Sequence, residues 1–235
     1  MPEKPLHGMF TAVPPRYDLV NHIITWGLDT GWRRRAAREC LKNHPKRVLD
    51  VCCGTGDLAV NLARTAGKDT AVTGLDYSQP MLEIAAVKAA EAGVSGKLTL
   101  VHGDVGSLPF PDRYFESIGI SFAFRNLTYK NPMTEKYLVE IRRVLAPGGR
   151  FVIVESSQPH NGLIRWFFHL YLRFYVANAG YWLSGNRGAY RYLAESAWHF
   201  YGPAEVTDLL MKAGFPEVAY RPLLLGAAGI YTATG

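Results

Sequence analysis

Residues 48–59, Val-Leu-Asp-Val-Cys-Cys-Gly-Thr-Gly-Asp-Leu-Ala, constrain the fold more than any other stretch of the chain. The apolar run 48–51 breaks at Gly54 and Gly56, and apolar residues then return at helical spacing, which predicts a strand, a tight turn and a helix. Glycine has no Cβ, so the backbone can adopt positive φ and a ligand can approach closely, while free N–H groups of the new helix point towards it. The stretch therefore predicts a small-molecule site at the end of a strand.

The charges around this turn separate two classes of ligand. The pattern Gly-x-Gly-x-x-Ala formally fits a dinucleotide site, with Asp76 about twenty residues on, where a ribose-binding acid belongs. However, Asp50 and Asp57 flank the glycines, and no lysine or arginine occurs in residues 48–63. Like charges about 4 Å apart repel by roughly 4 kcal/mol at a surface-like dielectric, which disfavours a pyrophosphate. S-adenosylmethionine, which carries a sulfonium and an ammonium but no phosphate, is favoured, and NAD stays as an alternative.

Further carboxylates follow the next two predicted strands. A strand at 70–75 ends in Asp76, which can accept hydrogen bonds from both ribose hydroxyls, and Met81 in the following helix, capped by Ser78, can face the adenine. A strand at 98–101 is followed by Asp104, which can accept from the adenine amino group or form an Asx-type turn. Parallel strands bring such ends to one edge of the sheet, where open α/β sheets bind ligands.

The alternation of strands and helices predicts an α/β fold with one parallel sheet. Strands are predicted at 114–121 and 151–154, and two closing strands at 216–221 and 226–232 are expected to pair as a hairpin. Residues 160–202 interrupt this alternation and are rich in aromatic residues. The stretch predicts a lid over an apolar ligand or a helix in a membrane interface, with an ordinary core helix as the alternative; its ionisable residues exclude a membrane span.

The domain boundaries follow from these patterns. Residues 1–44 are predicted to form an N-terminal helical cap, and residues 45–235 the ligand-binding domain, with 160–202 as a substrate lid. The cap contains the run Arg33 to Arg35, which favours a solvated helix face over an anionic membrane surface.

Composition limits the partners. The chain has 235 residues, 48% of them hydrophobic, enough for one stable core. Its net charge of +6 is spread along the sequence, so nucleic acid is not favoured as a partner. The three cysteines suggest neither a metal site nor a disulfide framework, and no signal segment is evident, so we expect a cytoplasmic protein, with peripheral membrane contact and a homodimer left open.

Several segments resemble the UbiE/COQ5 family of S-adenosylmethionine-dependent C-methyltransferases, which act in ubiquinone and menaquinone biosynthesis. They are Arg-Tyr-Asp-x-x-Asn at 16–21, Gly-Leu-Asp-x-x-Trp-Arg at 27–33, Ser-Phe-x-x-Arg-Asn at 121–126 and Ala-Tyr-Arg-Tyr-Leu-Ala-Glu-Ser at 189–196. The resemblance implies a Rossmann-like class I methyltransferase fold, with a seven-stranded sheet, helices on both faces and a helical insertion after the fifth strand. It also implies a lipophilic quinol substrate, such as demethylmenaquinol or a ubiquinol precursor.

The resemblance also implies site residues. Its catalytic neighbourhood falls on Arg125, Asn126 and Tyr17. Arginine stays charged in proteins, so we expect Arg125 to polarise the phenolic oxygen rather than take its proton, with a salt bridge to Asp18 or Glu155 as the structural alternative. Combined with the strand ends above, the predicted cofactor site consists of Asp50, Gly54, Thr55, Gly56, Asp76, Tyr77, Met81, Asp104, Val105 and Ser121.

Two departures from the family pattern bear on the substrate. Ala123 and Phe124 stand where glycine and leucine are more usual, beside the proposed catalytic arginine. They leave open an O- or N-methyltransferase of another lipophilic or aromatic molecule.

Overall fold

The structure, a computed structural model, describes residues 17–184 and 187–235. Its strands are β1 (Arg47–Val51), β2 (Ala71–Asp76), β3 (Leu98–His102), β4 (Phe115–Ser121), β5 (Leu145–Ser156), β6 (Glu217–Leu223) and β7 (Ala228–Thr234). The predicted N-terminal arm up to residue 16 lies outside the described residues.

The described helices alternate with these strands. They are α1 (Tyr17–Ile24), α2 (Leu28–Cys40), α3 (Asp57–Thr65), α4 (Gln79–Glu91), α5 (Phe124–Thr128), α6 (Thr134–Val144), α7 (Gly162–Leu170), α8 (Ala177–Ser184), α9 (Arg187–Trp198) and α10 (Pro203–Lys212). A π-helical turn, Tyr171–Val176, joins α7 to α8, and a 3₁₀ turn, Leu224–Gly226, joins β6 to β7.

One sheet of seven strands, in the order β3-β2-β1-β4-β5-β7-β6, organises the fold. Strands β1 to β5 pair in parallel, and β7 is antiparallel to both β5 and β6. The predicted α/β class, the seven strands and the closing hairpin are therefore confirmed. The helical insertion follows β5, as predicted.

Side chains alternate between the two faces of the sheet, because successive residues of a strand point to opposite sides. Leu49 and Phe151 belong to one core cluster, which includes residues of α6 and α10. Val48 and Val152 belong to a second, which includes residues of α2, α3 and α4. The fold thus has helices on both faces.

A third cluster lies apart from the sheet and positions the site. Val20 and Ile24 of α1 pack with Leu172 and Val176 of the π turn and with residues of α9. The N-terminal helix and the insertion therefore share one apolar contact, although they are far apart in the sequence.

Two local predictions were wrong. β5 begins at Leu145, not Phe151, because Leu145 pairs with Phe115 across a register irregularity that takes in the Pro147 turn. Ser78 occupies the N-cap of α4, but its hydroxyl makes no capping hydrogen bond. Its N–H instead donates to the Asp76 carboxylate at 2.9 Å, which ties the end of β2 to the helix.

Candidate active site

The turn after β1 has the backbone conformation that its sequence predicts. φ is +54° at Gly54 and +82° at Gly56, in the left-handed region that glycine adopts without steric cost. A Cβ at Gly56 would lie 2.8 Å from the Cβ of Ala85 in α4, whereas one at Gly54 would meet only the Met81 sulfur, at 3.4 Å. Gly56 therefore allows α3 and α4 to approach, and Gly54 leaves the turn open on its ligand side.

Carboxylates at the ends of β1, β2 and β3 border one cavity of about 1200 Å³. The Asp76 carboxylate accepts from the Gly54 N–H at 2.8 Å as well as from the Ser78 N–H. Burial raises the pKa of Asp76, and these N–H donors oppose the rise. Asp104 is exposed and accepts from the Gly106 N–H at 2.8 Å, so it forms the Asx-type turn and also borders the cavity.

Of the three carboxylates, Asp50 has the least favourable environment for a negative charge. It is 1% exposed, and neither of its oxygens has a hydrogen-bond partner within the described part of the chain. Burial raises the pKa of Asp50 well above its usual range; the Ala59 N–H and the Arg33 charge oppose the rise, and the nearby Asp76 charge adds to it. A buried charge without a partner is costly, so this group needs either a proton or a cation. The ammonium or sulfonium of S-adenosylmethionine fits this need, and a phosphate does not.

Lys88 and Arg33 bring positive charge to the turn, which the sequence pattern did not indicate. The Lys88 ammonium lies 2.6 Å from one Asp57 oxygen and 2.7 Å from an Asp18 oxygen, and Arg33 lies 3.6 Å from the other Asp57 oxygen. The expectation that Asp57 would face a ligand as an unpaired carboxylate was therefore wrong. The preference for a cationic ligand depends on Asp50 instead.

The same ion pairs hold α1 against the glycine turn. The Thr55 hydroxyl donates to Asp18 of α1 at 2.7 Å and accepts from Lys88 at 3.1 Å. Thr55 therefore fastens the cap to the turn, besides bordering the cavity.

Arg33 is part of the site rather than of a solvated face. It is largely buried, forms an ion pair with Asp29, and its Nε donates to the Ser121 hydroxyl at 3.1 Å. The prediction of a solvated face holds for Arg34 and Arg35, which are exposed.

The structure brings nearly all predicted cofactor residues to the one cavity. Gly56 is the exception, because it packs against α4. The predicted residues that border the cavity are Asp50, Gly54, Thr55, Asp76, Tyr77, Met81, Asp104, Val105 and Ser121.

Arg125 occupies a buried polar corner of the cavity. Its Nη1 donates to Glu155 and to the Ser156 hydroxyl, both at 2.8 Å, and its Nε donates to the Ser196 hydroxyl at 3.0 Å. Glu155 has no exposed surface. The salt bridge held as the structural alternative is thus present, with Glu155 rather than Asp18. Nη2 makes no hydrogen bond to any described residue, and Arg125 also borders the cavity.

Two further polar side chains lie along the cavity wall. The Oδ1 atom of Asn126 is buried and has no hydrogen-bond partner among the described residues. Tyr192 is half-buried; burial raises its pKa, and the charge of Arg125 opposes the rise. Tyr17 is the first residue of α1, but its side chain lies outside the described part of the structure. Sequence patterns alone gave Tyr192 no role beyond packing or lining a cavity.

Apolar and aromatic side chains form the rest of the wall. Trp32 and Phe122 lie with ring centroids 6.0 Å apart, and Phe168 and Tyr171 continue the wall into the insertion. The wall reaches Leu225 at the corner between β6 and β7.

The two departures from the family pattern differ in position. Ala123 borders the cavity. Phe124 has no exposed surface and packs against Phe151 in the core, with ring centroids 6.2 Å apart. Only residue 123 can therefore bear directly on the substrate.

Residues 17–184 and 187–235 contain neither a metal-binding cluster nor a membrane-spanning helix. No group of three or more His, Cys, Asp or Glu side chains there is placed to hold a metal ion. None of the helices in that part is long and apolar enough to cross a membrane.

Comparisons with known proteins agree with this geometry. The model of the ubiE/COQ5 methyltransferase family matches residues 1–235. The demethylmenaquinone methyltransferase of Thermus thermophilus is 41% identical over 223 residues, which cover 95% of this chain and 98% of that protein. The ubiquinone/menaquinone biosynthesis C-methyltransferase UbiE of Geobacter sulfurreducens is 36% identical over 228 residues, covering 97% and 87%.

Solved structures match the fold at lower identity. A SAM-dependent methyltransferase from Aquifex aeolicus superimposes with a TM-score of 0.60 at 20% identity, covering 88% of this chain and 91% of that one. The S-adenosylmethionine-dependent methyltransferase SibL in its apo form gives a TM-score of 0.63 at 21% identity, covering 97% and 61%.

Proposed function

Because the chain belongs to the ubiE/COQ5 methyltransferase family, we propose that it methylates a ring carbon of a lipophilic hydroquinone, with S-adenosylmethionine as the methyl donor. The Thermus thermophilus relative, named a demethylmenaquinone methyltransferase, favours a substrate of the demethylmenaquinol type. A ubiquinol precursor is the second substrate of the same class, suggested by the name of the Geobacter relative. We infer a cytoplasmic enzyme that meets this substrate at a membrane surface.

One observation carries the proposal: a single cavity joins a buried, unpartnered carboxylate to an apolar wall. Asp50 at one end can bind a cation, and the carboxylates of Asp76 and Asp104 can accept hydrogen bonds from a nucleoside. The wall beyond Phe122 suits a hydrophobic ring and tail. A NAD-dependent oxidoreductase would place a pyrophosphate beside Asp50, and Arg33, the cation that acts on that carboxylate, already forms an ion pair with Asp29.

The donor, when bound, supplies an electrophilic methyl group on its sulfonium. Transfer to a ring carbon needs an electron-rich ring, which a hydroquinone becomes as one phenolic O–H is lost or polarised. We assign Arg125 to this task, because its Nη2, which makes no hydrogen bond to a described residue, can donate to the phenolic oxygen, and its charge stabilises the negative charge that develops there. Glu155 holds the guanidinium through Nη1 at 2.8 Å.

Asn126 has a complementary role in this proposal. Its buried Oδ1 has no hydrogen-bond partner in residues 17–184 and 187–235, so it can accept from the second ring hydroxyl and orient the ring. Tyr17 is assigned to the same ring from the family resemblance alone. Alignment of a ring carbon about 3 to 3.5 Å from the methyl group is itself a large part of the catalysis.

We infer that the N-terminal cap and the insertion close the cavity over the bound substrate. α1 is held to the glycine turn through Asp18, and packs on the π turn of the insertion through Val20. Together they exclude water from the developing phenolate, which strengthens the electrostatic effect of Arg125.

Two measurements test the proposal. Purified protein is incubated with methyl-deuterated donor and a short-chain demethylmenaquinol, and mass spectrometry with NMR shows which atom gains the methyl group. We expect a carbon-bound methyl, and an oxygen-bound one would contradict the reaction. Calorimetry with S-adenosylhomocysteine and NADH tests the ligand class separately, and tighter NADH binding would contradict the cofactor.

A further inference from the structure

The surface around the outer end of the cavity is unusually apolar. Fourteen large hydrophobic side chains of the described residues are exposed, and six of them lie at 163–182 and two at 224–225. Leu163, Trp166 and Phe167 have the spacing of one helical face, and Phe167 also borders the cavity. Leu224 and Leu225 border the cavity as well. We call these five residues the mouth surface.

The two parts of the mouth surface are neighbours. A Cβ at Gly226 would lie 3.2 Å from the Cα of Pro159 and 3.8 Å from the N of His160, just before α7. The Ser157 N–H also donates to the Ala227 carbonyl at 3.0 Å. The corner between β6 and β7 is thus fastened beside the start of α7.

The two corner leucines are held in an unfavourable backbone conformation. φ is +42° at Leu224 and +55° at Leu225, and their side chains are 53% and 73% exposed. Left-handed backbone is sterically unfavourable for an L-residue other than glycine or asparagine. Because most of both side chains is exposed, they contribute little to the core, and strain at such a place indicates a function there.

The charge of the insertion indicates what covers these side chains. Residues 160–202 contain four arginines and one acidic residue, Glu195, a net charge of +3 out of +6 for the chain. A second copy of this chain would bring the same positive charge to the contact. An anionic lipid surface offers the opposite charge together with an apolar layer for leucine and tryptophan.

We propose that the mouth surface docks this protein onto anionic bilayers, with Leu224 and Leu225 inserted as an apolar wedge beside the cavity entrance. This inference rests on the proposed function, because a prenylated quinol resides in the bilayer and needs an entrance that faces it. The quinol would then enter between α7 and the corner without crossing water.

Flotation with lipid vesicles tests the docking without quinol or methyl donor. The variant Leu224→Asn/Leu225→Asn removes the apolar side chains, while asparagine tolerates positive φ better than leucine does. We expect at least tenfold weaker binding to phosphatidylglycerol vesicles, with a melting temperature equal to or above that of the parent. The control Met211→Asn changes a side chain that is equally exposed, at 53%, on α10, and should bind like the parent.

Further vesicle measurements define the results that would support or overturn the docking. Parent protein should bind phosphatidylglycerol vesicles better than phosphatidylcholine vesicles, and Leu163→Asn should also weaken binding. Unchanged binding by the double variant would overturn the proposal, and so would a parent that binds neither vesicle. A lipid-free dimer that the double variant converts to a monomer would assign the surface to a second copy instead. A failed methyl-transfer assay with intact leucine-dependent flotation would refute the proposed function and leave the docking standing.

Discussion

Asp50 is the single side chain on which the ligand assignment most depends. Its sequence position, at the end of an apolar run before two glycines, predicted a carboxylate near the ligand. Sequence could not show that Asp57, seven residues on, is neutralised while Asp50 is not, because the cations that pair with Asp57 come from α2 and α4. Local pattern places a charge along the chain, and tertiary packing decides whether it has a partner.

The raised pKa of Asp50 makes a prediction about stability. In the window between the ordinary carboxyl pKa of about 3.9 and the raised folded-state pKa, the folded protein keeps a proton that the unfolded chain has lost. Stability of the ligand-free protein should therefore fall as pH rises through that window and stay level above it. Asp50→Asn should remove part of this slope and raise the melting temperature at neutral pH, because asparagine, unlike aspartate, needs no proton to be buried without a charge.

Thermal unfolding from about pH 4 to pH 8 measures this effect. Asp76, whose pKa is also raised by burial, should keep its own share of the slope in the variant. The matched control is Asp57→Asn, which removes a paired carboxylate and should not stabilise. A melting temperature of Asp50→Asn below that of the parent at neutral pH would contradict the account.

Variants of Arg125 and Glu155 can separate a catalytic role of Arg125 from a structural one. Arg125→Gln alone leaves Glu155 buried without its partner, and breaking a buried pair in this way costs about 3–5 kcal/mol. In Arg125→Gln/Glu155→Gln both charges are gone and amide hydrogen bonds can replace the ion pair. We expect the double variant to recover most of the lost stability and still show a 10² to 10³-fold lower kcat, because the cation facing the ring is missing.

Melting temperatures and single-turnover rates of the two variants are compared with the parent. Glu155→Gln alone is the control for the loss of the carboxylate. If the double variant regained parental turnover along with its stability, Arg125 would be a structural residue only.

Between elements, the strand, glycine turn and helix at β1 and α3 were predictable because every signal is local. The contact of α3 with α4 was not, since it depends on Ala85, far along the chain. Gly56→Ala should destabilise the protein more than Gly93→Ala. Both glycines have positive φ, but a Cβ at Gly93 meets nothing within 4 Å, whereas one at Gly56 lies 2.8 Å from the Cβ of Ala85.

The difference between these two variants isolates the close approach, because the backbone cost is common to both. We expect it to be about 1–3 kcal/mol, as for other overpacked contacts, and to weaken donor binding because the turn shifts with α3. Chemical denaturation and calorimetry measure the two effects. Equal destabilisation by Gly56→Ala and Gly93→Ala would mean that α3 and α4 can move apart at little energetic cost.

The parallel sheet and its closing hairpin were predicted from the alternation of patterns, and the number of strands from the family resemblance, whereas the spatial order of the strands was not predicted. The insertion was predicted as a unit, but its contact with α1 was not, since Val20 and Leu172 lie in segments that no local pattern connects. This contact, together with the ion pairs of Lys88, makes one cavity out of parts that the sequence shows separately. Its wall includes residues from the sheet edge, from α1, from the insertion and from the corner at Leu225.

A cavity assembled from these parts predicts how the enzyme depends on the tail of its substrate. The polar ring site at Arg125 and Asn126 is separate from the apolar wall, so tail length should change KM and leave kcat nearly constant. Burying each CH₂ group contributes about 0.8 kcal/mol, so the first prenyl unit should lower KM tenfold or more. The cavity is limited to about 1200 Å³ and also has to hold the donor, so KM should stop falling once the tail reaches Leu225 at the mouth.

Steady-state kinetics with demethylmenaquinols of zero to several prenyl units, free of membranes, test this dependence. The matched control is a tail of equal length with a terminal hydroxyl. It should raise KM when the terminus stays inside the cavity, because a buried hydroxyl without a partner is costly, and have little effect once the terminus extends past the mouth into water. Only the part of the tail that the cavity encloses can contribute to binding. A KM that does not change with tail length, or one that keeps falling with every added unit, would therefore contradict a cavity of this extent.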